Sequence, residues 1–272
     1  MQSFPNCKLN LGLHILSKRN DGYHNIETVM VPVFLCDQLQ YSEGIKDSLV
    51  VTGVKIDVMK MEENIIYKAL QLCREIKEIP PLSMSLQKNI PSGAGLGGGS
   101  ADASFMIKML NENFELNLSE DEQCRIALLL GSDCPFFIKN RPTLVSGRGE
   151  ILSSFEISLS SYQVVIVHPA IHVSTAYAYS QIKPNDKRIS IREIVSMPIE
   201  KWRKNLINDF ETTVFHSHPI LKEIKNELYS YGAIYAAMSG SGSSVYGIFE
   251  HFSHGKPLFY EFPYHVVKFK DR

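Results

Sequence analysis

The 272-residue sequence lacks an excess of charge of either sign and any apolar run long enough to cross a bilayer. Lysine and arginine number 28 against 29 aspartate and glutamate residues. The near-neutral net charge therefore does not indicate binding to nucleic acid or to an anionic membrane. A transmembrane helix needs about 20 consecutive apolar residues. The sequence from Cys7 alternates like a strand and does not resemble a signal peptide. We therefore expect a cytoplasmic protein without nucleic-acid or membrane partners.

Cysteines are few and far apart. The chain has five, an odd number with no C-x-x-C pair among them: Cys7, Cys36, Cys73, Cys124 and Cys134. Neither a disulfide framework nor a zinc site is predicted, and reduced, buried thiols are expected. His216 and His218 have no third ligand at a recognised spacing, so we assign no metal-ligating residues.

Glycine, in contrast, is concentrated at one place. Five of the seven residues from Gly93 to Gly99 are glycine, between a predicted strand at Leu82–Gln87 and an amphipathic helix. Glycine allows backbone to approach a ligand closely, and the free N–H groups at a helix start suit phosphate oxygens. Ser100 can cap that helix or turn its hydroxyl toward a phosphate. This pattern predicts a phosphate-binding loop that opens a helix and favours it over a flexible linker.

Two other nucleotide signatures are missing. A Walker A loop needs lysine after its last glycine, and here Ser100 follows Gly99. A protein kinase needs H-R-D and D-F-G, and neither occurs. The loop does contain G-x-G-x-x-G, but the acidic residues at about the distance that a dinucleotide fold requires, Glu120 and Asp121, fall in the first turn of a predicted helix. The dinucleotide interpretation is disfavoured and stays open.

The remaining pattern predicts an α+β protein of two domains. Alternation over Leu9–Ile15 indicates a half-buried strand with Lys8, Asn10 and His14 on its polar face. Further predicted strands are Thr28–Cys36, Leu49–Met59, Leu82–Gln87 and Gln163–Val167.

Four helices are predicted besides the one that the loop opens. The first follows Asn64, carries an apolar stripe of Ile66, Ala69, Leu70, Cys73 and Ile76, and is ended by Pro80-Pro81. The second has a capping box at Ser119 and Glu122 and Gly131 as its C-terminal cap. The others lie near Ser174–Ile182 and Pro219–Tyr229. The polar, serine-rich stretch Gly147–Ser161 is the best candidate boundary, near residue 155.

Several separated motifs, in order, resemble the GHMP family of small-molecule kinases. They are C-K-L-N-L-G-L-H-I, R-N-D-G-Y-H-N-I-E-T, I-P-S-G-A-G-L-G-G-G-S-A-D-A-S, G-S-D-C-P-F-F, H-P-A-I-H-V-S-T-A-Y-A-Y, N-D-F-E and M-S-G-S-G-S-S-V-Y-G, which together span residues from about 7 to 249. Ser92 and Cys134 stand where the family pattern leads us to expect apolar residues, and the tail His251–Arg272 follows no family pattern that we can place.

The resemblance implies a fold and a reaction. Residues 1–155 would form the GHMP N-terminal domain, similar to domain 2 of ribosomal protein S5, and residues 156–272 a ferredoxin-like C-terminal domain. The D-G-Y-H pair and the triple glycine Gly97–Gly99 resemble the motifs of one branch of the family. Enzymes of that branch transfer the γ-phosphoryl group of ATP to the 2-hydroxyl of a cytidine-diphosphate-linked methylerythritol. That reaction belongs to the non-mevalonate route to isoprenoids.

The resemblance also implies the site residues. Lys8 and Asp133 would be catalytic, although from pattern alone they are a solvated strand lysine and a turn residue. The ATP loop would comprise Pro91, Ser92, Gly93, Ala94, Gly95, Leu96, Gly97, Gly98, Gly99, Ser100 and Ala101. The acceptor would contact Asn10, Tyr23, His24, Thr175 and Tyr179, with the base stacked between aromatic rings. Pattern alone favours core packing for the two tyrosines.

The turn Ser239–Ser244 resembles the third GHMP motif, which supports the nucleotide loop, and is equally consistent with a plain hairpin turn. ATP is the expected phosphoryl donor, and Mg²⁺ is expected to arrive with it, coordinated mainly by phosphates and water. The sequence does not determine the oligomeric state, and a homodimer is compatible with it. Another GHMP kinase, a catalytically silent nucleotide-binding protein and a dinucleotide-dependent oxidoreductase remain the alternatives.

Overall fold

The computed structural model describes residues 1–54, 60–253 and 262–270. These residues form both helices and strands, as the predicted α+β class requires. The strands are β1 Gln2–Ser3, β2 Asn6–Lys18, β3 His24–Cys36, β4 Gln38–Glu43, β5 Ser48–Gly53, β6 Leu82–Lys88, β7 Thr143–Gly147, β8 Ile151–Ser154, β9 Gln163–Val167, β10 Tyr235–Met238, β11 Val245–Phe249 and β12 Tyr264–Lys268. The helices are α1 Ile65–Arg74, α2 Gly98–Asn113, α3 Glu120–Leu130, α4 Cys134–Lys139, α5 Thr175–Ser180, α6 Ile191–Val195, α7 Trp202–Asn205, α8 Phe210–Ser217 and α9 Pro219–Ser230.

The strands form three four-stranded sheets, in the orders β1-β4-β6-β5, β2-β3-β7-β8 and β10-β11-β9-β12. In the first sheet β5 runs parallel to β6, and β4 runs antiparallel to it. In the third sheet β9 pairs antiparallel with both β11 and β12. A strand, β12, therefore lies in the tail for which no pattern was found, next to the predicted strand Gln163–Val167.

The chain divides into two compact units that are discontinuous in sequence. Unit 1 comprises Met1–Cys7, Leu35–Ser92 and Gly97–Asn140, and unit 2 comprises Lys8–Phe34, Gly93–Leu96 and Arg141–Arg272. The stretch Gly147–Ser161 contains the end of β7 and all of β8, which pair antiparallel with each other. The predicted family domains 1–155 and 156–272 are a different division, and that boundary stays a prediction.

In unit 1, helix α1 packs its apolar stripe into a core that it shares with β4, β6 and α2. The Asn64 side chain accepts a hydrogen bond from the Ile66 N–H and so caps the helix. The prediction that the helix continues through Ile76 to Pro80 is wrong. Helix α1 ends at Arg74, whose guanidinium donates to the carbonyls of Ile79 and Pro80, and Ile76 is 46% exposed beyond it.

The predicted capping box of α3 is confirmed. Ser119 accepts from the Glu122 N–H while the Glu122 carboxylate accepts from the Ser119 N–H. Gly131 is the C-terminal cap, as predicted, and its φ of 170° is extended backbone. The predicted strand Leu49–Met59 begins one residue earlier, at Ser48, and is described to Gly53; residues 55–59 lie outside the described ranges.

In unit 2, strand β2 is buried on both faces rather than one. Leu9, Leu11 and Ile15 are buried as predicted, but Lys8 is also only 3% exposed and Asn10 1%. The polar face is covered because Thr28 and Ser239 contact Asn10 there. The prediction of a half-buried strand is therefore wrong, and two of the predicted site residues, Lys8 and Asn10, lie on the buried polar face. No helix within the described ranges is long and apolar enough to span a membrane.

Candidate functional site

Two polar residues of β2, Lys8 and Asn10, lie side by side in unit 2, as their spacing predicts. The Lys8 ammonium donates to Asn10 Oδ1 at 2.6 Å and to the carbonyl of Gly95 at 3.0 Å. The Asn10 amide in turn donates to the Thr28 hydroxyl at 3.1 Å. Since a buried ammonium needs hydrogen-bonded partners, these contacts fix the Lys8 amine against the glycine-rich loop.

The loop residues of unit 2 rest on the turn Ser239–Ser244. Ser239 Oγ donates to the Gly95 carbonyl at 2.9 Å, and the Ser244 N–H donates to the Ala94 carbonyl at 3.1 Å. Gly95 has φ +76°, and a Cβ there would lie 2.0 Å from the Ser239 carbonyl oxygen, so only glycine fits. The turn joins antiparallel strands β10 and β11, as a hairpin turn does. It also contacts the glycine-rich loop, as the third GHMP motif is expected to do.

The rest of the loop opens helix α2 in unit 1. Gly97 caps the helix with a left-handed backbone, φ 72°, and its carbonyl accepts the first helical bond, from Ala101, at 2.9 Å. The first N–H groups of a helix have no partner within the helix, which suits an anion. Gly99 is exposed at this helix end, whereas Gly98 is buried against Ile90. The predicted arrangement, a glycine-rich loop that leads into a helix, is confirmed.

Asp133 also lies in unit 1, at the residue that precedes helix α4. The hydroxyl of Ser104, on α2, lies within hydrogen-bond distance of the carbonyls of Ser100 at 2.7 Å and of Cys134 at 2.8 Å, which share its one proton. This hydroxyl ties the start of α4 to the first turn of α2, next to Asp133. Burial raises the pKa of the Cys134 thiol to about 11, so Cys134 is a neutral packing residue beside Asp133.

A buried ionic cluster that the sequence analysis missed anchors the same helix. Lys88, at the end of β6, donates to Asp37 and, at 2.6 Å, to Asp102 on α2. Asp37 Oδ1 also accepts the N–H groups of Asn89 and Ile90, just before the loop. Burial raises the pKa of Asp102 well above its usual value, although the Lys88 charge opposes this. Asp37 thus binds the backbone just before the loop, and Lys88 binds the helix that follows the loop.

The predicted acceptor-binding side chains form two contacts in unit 2. The His24 imidazole stacks on the Tyr179 ring with centroids 5.1 Å apart and planes at 19°. Burial, then the Lys18 charge, lowers the pKa of His24, so the ring is neutral at neutral pH. Tyr23, next to it in sequence, is 57% exposed, and the Arg148 guanidinium lies 4.9 Å from its ring centroid. A base sandwiched between Tyr23 and Tyr179 stays a prediction.

Thr175 begins α5 and its hydroxyl lies 2.9 Å from the hydroxyl of Ser241, in the turn. Thr175, which is predicted to contact the acceptor, therefore contacts the same turn that supports Ala94 and Gly95. Sequence motifs had flagged the turn but did not indicate which hydroxyls make these contacts. Arg148, on Tyr23, left no signal in the sequence beyond its charge.

The described residues hold no group of three histidine, cysteine, aspartate or glutamate side chains that could bind a metal ion. His216, near the end of α8, is exposed, and His218 follows that helix.

Comparison with known proteins gives consistent similarities. The description "GHMP kinases N terminal domain" matches residues 64–141, and "GHMP kinases C terminal" matches residues 197–266. A relative from Bacteroides fragilis, named 4-diphosphocytidyl-2-C-methyl-D-erythritol kinase, is 50% identical over 252 residues, which is 92% of each chain. One of the same name from Porphyromonas gingivalis is 48% identical and covers 90% of this chain and 91% of its own.

Solved structures agree. A crystal structure of 4-(cytidine 5'-diphospho)-2C-methyl-D-erythritol kinase aligns with 100% of both chains at a TM-score of 0.81 and 26% identity. Mevalonate kinase from Methanococcus jannaschii aligns with 100% of this chain and 98% of its own at a TM-score of 0.72 and 12% identity. The second likeness concerns the fold alone.

Proposed function

Because the chain belongs to the GHMP kinase family, we propose that it transfers the γ-phosphoryl group of ATP to the 2-hydroxyl of 4-diphosphocytidyl-2-C-methyl-D-erythritol. The products are the 2-phosphate and ADP, on the non-mevalonate route to isoprenoid precursors. The observation that carries the choice of acceptor is the single name shared by relatives that match nearly the whole chain. The reaction takes place in the cytoplasm on a small-molecule acceptor and involves no nucleic acid.

Residues Pro91–Ala101 bind the phosphates of ATP. The open N–H groups at the start of α2 carry a partial positive charge that favours phosphate oxygens. A Mg²⁺ ion carried in with the nucleotide would neutralise part of the charge of the transferring group. The hydrogen bonds from Ser239 and Ser244 to the loop carbonyls support this assignment, since they hold the loop in one shape before ATP binds.

Lys8 and Asp133 carry the chemistry. The transition state of phosphoryl transfer is loose, so catalysis consists mainly of positioning and charge stabilisation. Asp133 accepts the proton of the acceptor hydroxyl. Lys8 stabilises the negative charge of the transferring group, a role supported by its buried ammonium held on the Gly95 carbonyl.

The acceptor is recognised by Asn10, Tyr23, His24, Thr175 and Tyr179. Asn10 contacts the acceptor near its phosphates. The aromatic rings of Tyr23 and Tyr179 stack on the cytosine, and the neutral imidazole of His24 and nearby backbone groups read its polar edge. The stacked contact of His24 with Tyr179 places these two acceptor-binding side chains together, and a base that stacks on the His24-facing side of Tyr179 has to displace the imidazole.

The proposal is tested with purified protein, MgATP and a panel of acceptors, by measuring ADP release. We expect turnover with the cytidine-linked alcohol and little with mevalonate, homoserine or galactose. Turnover of one of those three without the cytidine-linked alcohol would overturn the choice of acceptor, and ATP binding without any turnover would favour a silent nucleotide-binding protein.

A further inference from the structure

The Asn208 side chain makes three buried hydrogen bonds, two of them to the turn Ser239–Ser244 and the residue before it. It is 1% exposed. Its amide nitrogen donates to the carbonyls of Met238 and Gly240, both at 2.8 Å, and its oxygen accepts the Phe210 N–H at 3.0 Å. Both amide hydrogens are used, on the two carbonyls that flank Ser239. A carboxamide supplies both the two N–H donors and the acceptor oxygen that these three hydrogen bonds use.

Backbone contacts hold Asn208 at a fixed height along β2. The Leu13 N–H donates to the Ile207 carbonyl at 3.0 Å, and the Asp209 N–H donates back to the Leu13 carbonyl at 2.9 Å. Asn208 therefore belongs to a segment that is locked onto the strand that carries Lys8 and Asn10. Its hydrogen bonds to Met238 and Gly240 therefore fix the position of the turn relative to β2.

A second side chain from the same N-D-F-E segment holds the turn. Glu211 accepts the Met238 N–H at 2.8 Å and the Lys225 ammonium at 2.6 Å. The N–H and the carbonyl of Met238 are thus bound by Glu211 and Asn208. This leaves little freedom in the backbone that presents Ser239.

From Ser239 the contacts lead directly to the catalytic lysine. Ser239 Oγ accepts the Asn10 N–H at 3.3 Å and donates to the Gly95 carbonyl at 2.9 Å. That carbonyl also accepts the Lys8 ammonium at 3.0 Å. The Gly95 carbonyl is therefore shared by the turn and by Lys8, and a shift of the turn must move one of them.

We propose that Asn208 is a positioning residue for phosphoryl transfer, which sets the Lys8 ammonium through the two carbonyls that flank Ser239. The proposal rests on the proposed function for Lys8 and adds a buried residue that acts on the reaction through Lys8. A displacement of about 1 Å far from the reacting atoms can cost on the order of 10²-fold in rate. Asn208→Asp keeps the shape but places a carboxylate against two carbonyl oxygens, whereas Asn208→Ser shortens the side chain and removes both amide donors without adding a charge.

The first measurement is a double-mutant cycle on kcat. Asn208→Asp is expected to lower kcat by on the order of 10²-fold, and Asn208→Ser by less, with little change in the KM of MgATP. Repeated in a Lys8→Met background under single-turnover conditions, the loss should largely disappear, because a residue that acts through Lys8 has no effect once Lys8 is gone. If the fold-losses in rate of Asn208→Asp and Lys8→Met multiply in the double variant, the proposal is overturned.

Two controls separate positioning from folding. Val214→Ala removes a buried core group from α8 and should lower the melting temperature without the kcat signature. Asn205→Asp changes a half-buried residue whose side chain makes a solvent-exposed hydrogen bond to the Lys201 carbonyl, and it should change neither. If Val214→Ala lowers kcat as much as Asn208→Asp does at an equal loss of melting temperature, Asn208 is merely structural.

The last measurement does not depend on the acceptor. Hydrogen–deuterium exchange of Asn208→Asp should be faster than in the wild type at the N–H groups of Asn10 and Ser244, and unchanged in α3. Unchanged exchange at Asn10 and Ser244 would overturn the proposal even if the enzyme acts on a different alcohol. Failure of the wild type to phosphorylate the cytidine-linked acceptor would instead contradict the proposed function alone.

Discussion

At the scale of single residues, the sequence predicted neighbours along a strand and missed partners far along the chain. Lys8 and Asn10 were placed together because alternate residues of a strand share a face. Thr28 and Ser239, which contact Asn10, are 18 and 229 residues away, and no periodicity reports such a distance. The family resemblance supplied the roles of Asp133, Tyr23 and Tyr179, which pattern alone assigned to a turn and to packing.

Replacement of Asp133 tests the proposed base. Asp133→Asn should lower kcat by about 10²–10⁴-fold, because the amide cannot accept the hydroxyl proton, while the affinity for MgATP by calorimetry stays nearly unchanged. Asp121→Asn, an exposed acid in the first turn of α3, is the matched control and should keep wild-type turnover. Turnover that survives in Asp133→Asn would show that Asp133 is not the base.

Tyr23 allows a separate test of acceptor recognition. Tyr23→Ala should raise the KM of the cytidine-linked acceptor about tenfold or more, since a stacked aromatic contact contributes about 1–3 kcal/mol per base, and should spare the KM of ATP. Tyr23→Phe keeps the ring and should restore the acceptor KM. Equal effects on both substrates would speak against a role confined to the base.

His14 makes the stability of the fold depend on pH. Burial, then the Arg188 charge, lowers its pKa to about 4, against a smaller upward effect of Asp209, and neither ring nitrogen meets a hydrogen-bond partner among the described residues. Because the folded state favours the neutral ring, its contribution is complete above pH 6.5 and is lost as the pH falls toward 4.

Acidification should therefore lower the free energy of unfolding by a measurable amount. Between pH 6.5 and 4 the free energy of unfolding should fall by up to about 3 kcal/mol from His14 alone. Urea unfolding of His14→Leu should show a smaller fall over that range, while the exposed His216→Gln should behave like the wild type. Parallel pH curves for His14→Leu and the wild type would contradict this account.

At the scale of elements, hydrophobic periodicity located most strands and helices but not where each one ends. Helix α1 was extended to Ile76 because that residue fits the apolar stripe, yet Arg74 binds the carbonyls that follow and ends the helix. Strand β4 was overlooked although Leu39 and Tyr41 alternate with polar residues. The polar face of β2 looked exposed because the residues that cover it come from elsewhere in the chain.

The cluster of Lys88, Asp37 and Asp102 should stabilise the start of α2. Lys88→Met leaves two buried carboxylates without their cation and should cost about 3–5 kcal/mol in the free energy of unfolding. Asp102→Asn should cost much less, because its oxygen still accepts from Lys88 and burial already disfavours the charged carboxylate. Urea unfolding measures both, with exposed Lys68→Met as the control. Equal losses for Lys88→Met and Asp102→Asn would contradict this reasoning.

At the scale of the whole molecule, the predicted α+β GHMP kinase fold is confirmed by the family matches and by the solved structures that align with it. Composition alone pointed only to a protein without a polyanion partner. The glycine loop added phosphate binding, and the motifs around it, in order, indicated a kinase and its acceptor. The two units interleave along the chain, and the predicted domain boundary near residue 155 stays a prediction.

The central claim is that the cytidine-linked alcohol is the acceptor, and a competition experiment tests it most directly. Equal concentrations of 4-diphosphocytidyl-2-C-methyl-D-erythritol, mevalonate, homoserine and galactose are offered together with limiting MgATP, and the phosphorylated products are separated and located by ³¹P NMR. The product ratio reports the ratio of kcat/KM values. We predict that nearly all the phosphate appears on the 2-hydroxyl of the cytidine-linked compound. Phosphate found mainly on any other acceptor would contradict the account.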